Sequence, residues 1–186
     1  MANIPYYEQK DIENIKKLRE MMKELPPFCT EFFRGIEPRT STRTRIAYAY
    51  DLSVFFDFLK KENPVFSKME LMDFTLDHLD QITVTDLEEY MEYLKYRFND
   101  HNQEISNKER GIMRKISSLK SFYNYFFRTE KLKTNPAALV QLPKLHEKEI
   151  IRLDVDEVAL LLDAVEQGDG LTEKQKAFHN RTRLRD

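Results

Sequence analysis

The sequence predicts an all-α fold, a helical bundle, and three observations carry that prediction. Apolar residues recur at helical spacing along each long segment. A chain of 186 residues with 41% hydrophobic and 12% aromatic side chains can close one good core or two small ones. Only four glycines are present, which leaves few strained turns.

Residues 8–24 read as a first helix, with Ile12, Ile15, Leu18, Met22 and Leu25 on one side, ended by Pro26 and Pro27. A short second helix follows over 28–36. The segment PRTSTRTR then leads into a strong helix over 42–62 whose inner stripe is Tyr48, Leu52, Phe55, Phe56 and Leu59, broken by Asn63 and Pro64. After a less regular stretch with Met69, Met72 and Phe74, the run ITVTDLEEYMEYLKYRF starts another helix. Thr85 and Glu88 have the form of its capping box, and Leu87, Tyr90, Met91 and Leu94 make its apolar side.

HNQEI reads as the loop before the most informative segment, 106–128. There Ile112, Ile116, Leu119, Tyr123 and Phe126 share one helical face, while Arg110, Arg114, Ser117, Ser121 and Arg128 share the other. Ser106 and Glu109 match a capping box, which starts this helix at Ser106 with its unpaired N–H groups near Asn107. Beyond Arg128, two prolines and a short NPAAL turn of helix read as a linker. IIRLDVDEVALLLDAVE then fits a brief strand over 150–153 and an acid-started helix with Val158, Leu161, Leu162 and Val165. One strand and two helices are too little for a core, so this last unit is expected to be incomplete.

The net charge of −2 and a pI near 6.1 hide a segregated distribution. Arg39, Arg43 and Arg45 precede or open the 42–62 helix with no acid among them, and in 106–133 eight bases face only Glu109 and Glu130. From Glu70 to Asp100 the balance reverses. Acid alternates with base on an ordinary solvated helix face; here arginines interleave with serines, a pattern suited to a phosphate backbone, because guanidinium forks grip phosphate and short hydroxyls allow close approach.

Other chemistry is excluded by what is missing. His78, His101, His146 and His179 lack a second ligand at helical spacing, and no glycine-rich phosphate loop, Gly-x-Ser-x-Gly or Cys-His pairing is visible. No catalytic, metal or cofactor site is expected. The single Cys29 rules out an internal disulfide and reads as a small buried hydrophobe. With no run of about twenty apolar residues and no apolar leader, the chain is expected to be soluble and cytoplasmic.

The order of motifs resembles the N-terminal, core-binding half of the tyrosine recombinases, the phage-integrase and Xer-type enzymes. TRTRIAYAYDLSVFFDFL is similar to the family's Thr-x-x-x-Tyr-x-x-Asp-Leu-x-x-Phe-x-x-Phe-Leu helix through Thr44, Tyr48, Asp51, Leu52, Phe55, Phe58 and Leu59. ITVTDLEEYMEYL resembles its next helix, and RKISSLKSFYNYFFRTEKLKTNPA the helix that ends in an Asn-Pro-Ala turn. LPKLHEKEIIRLDVDEVALLLDA looks like the linker and opening of a catalytic domain.

Residues 1–38 lie outside the shared pattern and are expected to form a helical extension, as an added layer or a protein-contact surface. The resemblance implies a SAM-like bundle of four to five helices at 39–140. It further implies a linker at 141–149 and the start of an incomplete catalytic domain at 150–186. It implies a duplex-DNA partner, self-association on DNA when full length, no membrane, and strand exchange by arginines, a lysine, a histidine and a tyrosine downstream of Asp186. His179 is followed three residues on by Thr182, so HNRTR fails the family's His-x-x-Arg motif, and this chain is expected to bind without cutting. The expected DNA-facing residues are Thr42, Arg43, Thr44, Arg45 and Tyr48, with Asn107, Arg110, Arg114, Ser117, Ser118, Lys120 and Ser121. For Tyr48 a buried aromatic and a phosphate-contacting hydroxyl both stand. The alternative from another class is a helical protein-interaction module without DNA binding. A helix-turn-helix regulator fits less well, because HNQEI lacks a compact glycine-containing turn.

Overall fold

The computed structural model describes residues 5–99, 102–144, 152–168, 170–173 and 175–176. The chain divides into two compact units, Met1–Leu145 and His146–Asp186. The first holds α1 (Tyr6–Lys23), α2 (Cys29–Ile36), α3 (Thr42–Glu62), α4 (Leu76–Leu79), α5 (Val84–Lys95), β1 (Tyr96–Phe98), β2 (Glu104–Ser106), α6 (Glu109–Arg128) and α7 (Pro136–Leu139). The second holds α8 (Val155–Gln167).

The core forms where the apolar stripes of α3, α5 and α6 meet. Leu52, Phe55, Phe56 and Leu59 of α3 are buried with Leu87, Tyr90 and Leu94 of α5 and with Ile112, Ile116, Leu119, Phe122, Tyr123 and Phe126 of α6. Phe122 lies at the centre of an aromatic cluster, its ring 5.1 to 6.4 Å from those of Phe28, Phe32, Phe56 and Phe126, mostly edge-to-face. Cys29, Phe32 and Phe33 of α2 belong to the same core. The expected division at residue 38 therefore does not separate two packed bodies. Only α1 behaves as an added layer: it lies against α3 and buries Leu18, while Ile12 near its start is exposed.

Three boundaries differ from the sequence expectation, each because a competing partner wins. The capping box of α5 is Thr83 with Asp86, two residues before the expected Thr85 with Glu88. Thr83 Oγ1 accepts the Asp86 N–H at 3.3 Å and Asp86 Oδ2 accepts the Thr83 N–H at 2.7 Å. Asp86 also accepts a bond from Asn63 Nδ2 at 2.9 Å, which ties the start of α5 to the end of α3. The basic helix starts at Glu109, not Ser106, and its N-cap Lys108 makes no side-chain cap bond. Ser106 is instead paired with Tyr96 in an antiparallel hairpin, β1 with β2, so the expected HNQEI loop is half strand. Asn102 supplies the left-handed residue of that turn, φ 54°, a conformation asparagine tolerates.

Past α6 the chain stays packed to Val140. Asp80 accepts the N–H groups of Lys133 at 2.9 Å and Thr134 at 3.1 Å, Asn135 caps α7 through the Ala138 N–H, and Ala137 and Val140 are buried. In the second unit α8 begins with a capping box of Asp154 and Glu157 and ends at Gly168, whose φ of 73° favours glycine. Val158, Leu161 and Leu162 are exposed on it. Of the strand expected over 150–153, Ile150 and Ile151 lie outside the described residues, and Arg152 and Leu153 are not in a strand. Among the described residues no helix is long and apolar enough to cross a membrane.

Candidate nucleic-acid interface

Packing α6 on the core leaves one stripe of it outward at steps of three and four residues. Arg110, Ser117, Asn124 and Arg128 are exposed, Arg114 is 48% exposed, and Ser121 is half-buried. The periodic inner face holds as expected. Asn124 was missed by the sequence reading, although it stands three residues after Ser121 and four before Arg128, the spacing that defines the stripe.

Beside this stripe the lead into α3 comes alongside. A groove of about 570 Å³ is lined by Pro38, Arg39, Thr40 and Tyr48 on one wall and by Ser121, Asn124, Tyr125, Arg128 and Thr129 on the other, with Gly35 and Ile36 beneath. A smaller cleft of about 290 Å³ continues past Ser121 and Asn124 to Lys120, Asn135 and Ala138. Among the described residues neither is lined by an acid. Two segments about eighty residues apart in sequence thus form one basic, hydroxyl-rich surface. Gly35 allows it: a Cβ there would stand 2.2 Å from Tyr125 Cε2, so any side chain would push that ring away from the wall. Tyr48 is half-buried. Its ring stacks on Phe32, with centroids 6.2 Å apart and planes 12° apart, and the residue still lines the groove.

Several expected contacts turn inward. Ser118 is 1% exposed and donates to Asp51 Oδ2 at 2.7 Å, so it is a core hydroxyl and not a surface one. Thr42 is buried at the first turn of α3. Arg45 has a side chain only 12% exposed, and its guanidinium is held by Glu37 at 2.7 Å. Asn107 donates to the Leu94 carbonyl at 2.7 Å and Lys120 to the Val140 carbonyl at 2.8 Å, so both are committed to the fold. Thr44 is half-buried, with its hydroxyl 2.9 Å from that of the N-cap Ser41, and Arg43 is exposed.

Below Arg114 lies the buried carboxylate of Asp51, 1% exposed. It receives Arg114 through both terminal nitrogens at 2.7 Å, Lys115 Nζ at 3.2 Å and the Ser118 hydroxyl. Burial pulls the Lys115 ammonium below the usual lysine range, and Asp51 opposes the shift. Lys115 also sits over the Tyr50 ring, 5.0 Å from its centroid. Among the described residues no cluster of His, Cys, Asp and Glu could hold a metal ion, and the expected His179 segment lies outside them.

Residues 24–142 match the family model described as phage integrase SAM-like domain. The chain belongs to the phage integrase SAM-like family. The matched span runs from the end of α1 past α7, so this integrase-type domain includes α2, in agreement with the shared core. The relatives are tyrosine recombinases. The chain is 33% identical over 151 residues to "Tyrosine recombinase XerC" of Caldanaerobacter subterraneus subsp. tengcongensis, covering 76% of this chain and 40% of the relative. It is 30% identical over 182 residues to "Tyrosine recombinase XerC" of Chlorobaculum tepidum, covering 96% and 47%. Against "Tyrosine recombinase XerS" of Lactococcus lactis subsp. cremoris it is 27% identical over 125 residues, covering 61% and 32%. The chain thus matches less than half the length of these curated relatives. No solved structure matches it significantly. Residues 24–142 of this integrase-family chain therefore form a SAM-like domain, and the chain is similar to part of the tyrosine recombinases it matches.

Proposed function

We propose that this domain binds duplex DNA and clamps a recombination site, while strand exchange belongs to a catalytic half of the full-length recombinase, which self-associates on DNA. The observation that carries the reading is the groove, with no acid among its described lining residues, where Arg39, Thr40 and Tyr48 face Ser121, Asn124 and Arg128. Arginine forks and short hydroxyls recognise phosphate oxygens, and two such walls can follow a backbone that neither α3 nor α6 could hold alone. The DNA-facing set on this reading is Arg39, Arg43, Thr44, Tyr48, Arg110, Arg114, Ser117, Ser121, Asn124 and Arg128. Asp77, Glu88, Glu89 and Glu92 are exposed and are not among the residues lining the groove or its smaller continuation, and on this reading their charge steers the duplex away from them.

A fluorescence-anisotropy titration with a short duplex at several salt concentrations tests this. If the five arginines Arg39, Arg43, Arg110, Arg114 and Arg128 each neutralise one phosphate, log K against log [salt] falls with a slope of roughly −4.5. Affinity that is absent at low salt, or indifferent to salt, refutes DNA binding and favours a protein-interaction module.

A further inference from the structure

We infer that Asp51 is a positioning residue for DNA binding, a buried carboxylate that holds the Arg114 guanidinium at two points and presents its remaining N–H groups outward; this rests on the DNA-binding reading above. Both oxygens of Asp51 are occupied. Arg114 reaches Oδ1 and Oδ2 at 2.7 Å each, Lys115 reaches Oδ1 at 3.2 Å, and Ser118 reaches Oδ2 at 2.7 Å. Of these three donors Lys115 and Ser118 are buried, and only Arg114 is also exposed, at 48%. A crossing of two helices needs no buried charge for stability, since well-packed apolar residues serve as well or better. What the arrangement supplies is orientation. A long arginine loses much rotamer freedom when it grips a phosphate, and one already fixed at both terminal nitrogens has lost that freedom before DNA arrives. A guanidinium has five N–H donors, so a two-point grip by Asp51 leaves three for an outer partner. The Lys115 charge offsets that of Asp51, so the cluster still presents net positive charge to the solvent side. Arg110, one turn earlier on the same stripe, is exposed, and no carboxylate among the described residues holds it in this way.

The test compares the 186-residue chain with five variants, in DNA affinity and salt slope, with folding followed by circular dichroism. Asp51→Asn combined with Lys115→Met removes one negative and one positive charge, so net charge is unchanged and any lost affinity is not a bulk charge effect. The inference predicts that this double variant binds a short duplex about fivefold more weakly, with a salt slope shallower by about 1. Adding Arg114→Ala to it should then cost nothing more. A folded double variant that binds like the unaltered chain or tighter overturns the inference, as does one that still loses the full effect of Arg114→Ala. Should the double variant fail to fold, Arg114→Lys carries the test without disturbing the core: it keeps the charge but cannot be held at two points. Its affinity should fall close to that of Arg114→Ala, whereas Arg110→Lys should keep most of its binding; equal tolerance of lysine at both positions overturns the positioning role. Absence of salt-dependent binding by the unaltered chain would instead remove the DNA reading itself, whereas binding that persists while these variants behave alike removes only the role of Asp51.

Discussion

Leu119 and Arg110 stand on one helix and serve opposite ends. Leu119 is 2% exposed within the core, so Leu119→Ala is expected to cost about 2–5 kcal/mol in urea unfolding and to leave DNA affinity per folded molecule unchanged. Arg110→Ala should leave stability within about 0.5 kcal/mol and weaken DNA binding, by about 1–3 kcal/mol if it reads a base edge and less if it meets only phosphate. Equal destabilisation by both would contradict the assigned faces. Residue-level reading succeeded where helical period alone decides the side, as it does for these two. It failed at Ser118, which lies only about 40° around the helix from Arg114 at 100° per residue. Its partner, Asp51, is 67 residues away in sequence, beyond the reach of any local spacing rule. Arg45 failed for a similar reason, since Glu37 lies across the turn before α3.

At the scale of elements, the sequence reading began α5 with the capping box of Thr85 and Glu88, and the structure begins it with Thr83 and Asp86. Thr83 with Asp86 prevails because Asp86 is additionally bonded by Asn63 at the end of α3. Thr83→Ala should therefore cost about 1 kcal/mol, while Thr85→Ala stays within about 0.5 kcal/mol, as thermal or urea unfolding of the two variants would reveal. The reverse order would place the helix start where the sequence reading put it. The β1 and β2 strands escaped that reading because each is three residues long, and Tyr96, Arg97 and Phe98 continue directly from the periodic run of α5. Such a short alternation is no signal until its partner strand is known. The long helices α3 and α6 were legible because their stripes span several turns and proline or glycine punctuation is scarce inside them.

For the whole molecule, the average charge of −2 would point away from nucleic acid, and the segregation of charge along the chain points toward it. Folding brings the two basic segments to one groove, a juxtaposition the sequence suggested only through family resemblance, because spatial proximity of α3 and α6 depends on the core between them. The role of Gly35 could not be read beforehand, since it matters only once α2 and α6 touch, whereas Asn124 stood at the spacing of the stripe and was legible. The measurement that tests the account most directly is a map of backbone amide shifts of the 15N-labelled chain on titration with a short duplex at low salt. The account predicts that the largest shifts fall at 39–48 and along Arg110, Ser117, Ser121, Asn124 and Arg128. Shifts confined to α1, to the acidic face of α5 or to the hairpin, with the groove residues unmoved, would contradict it.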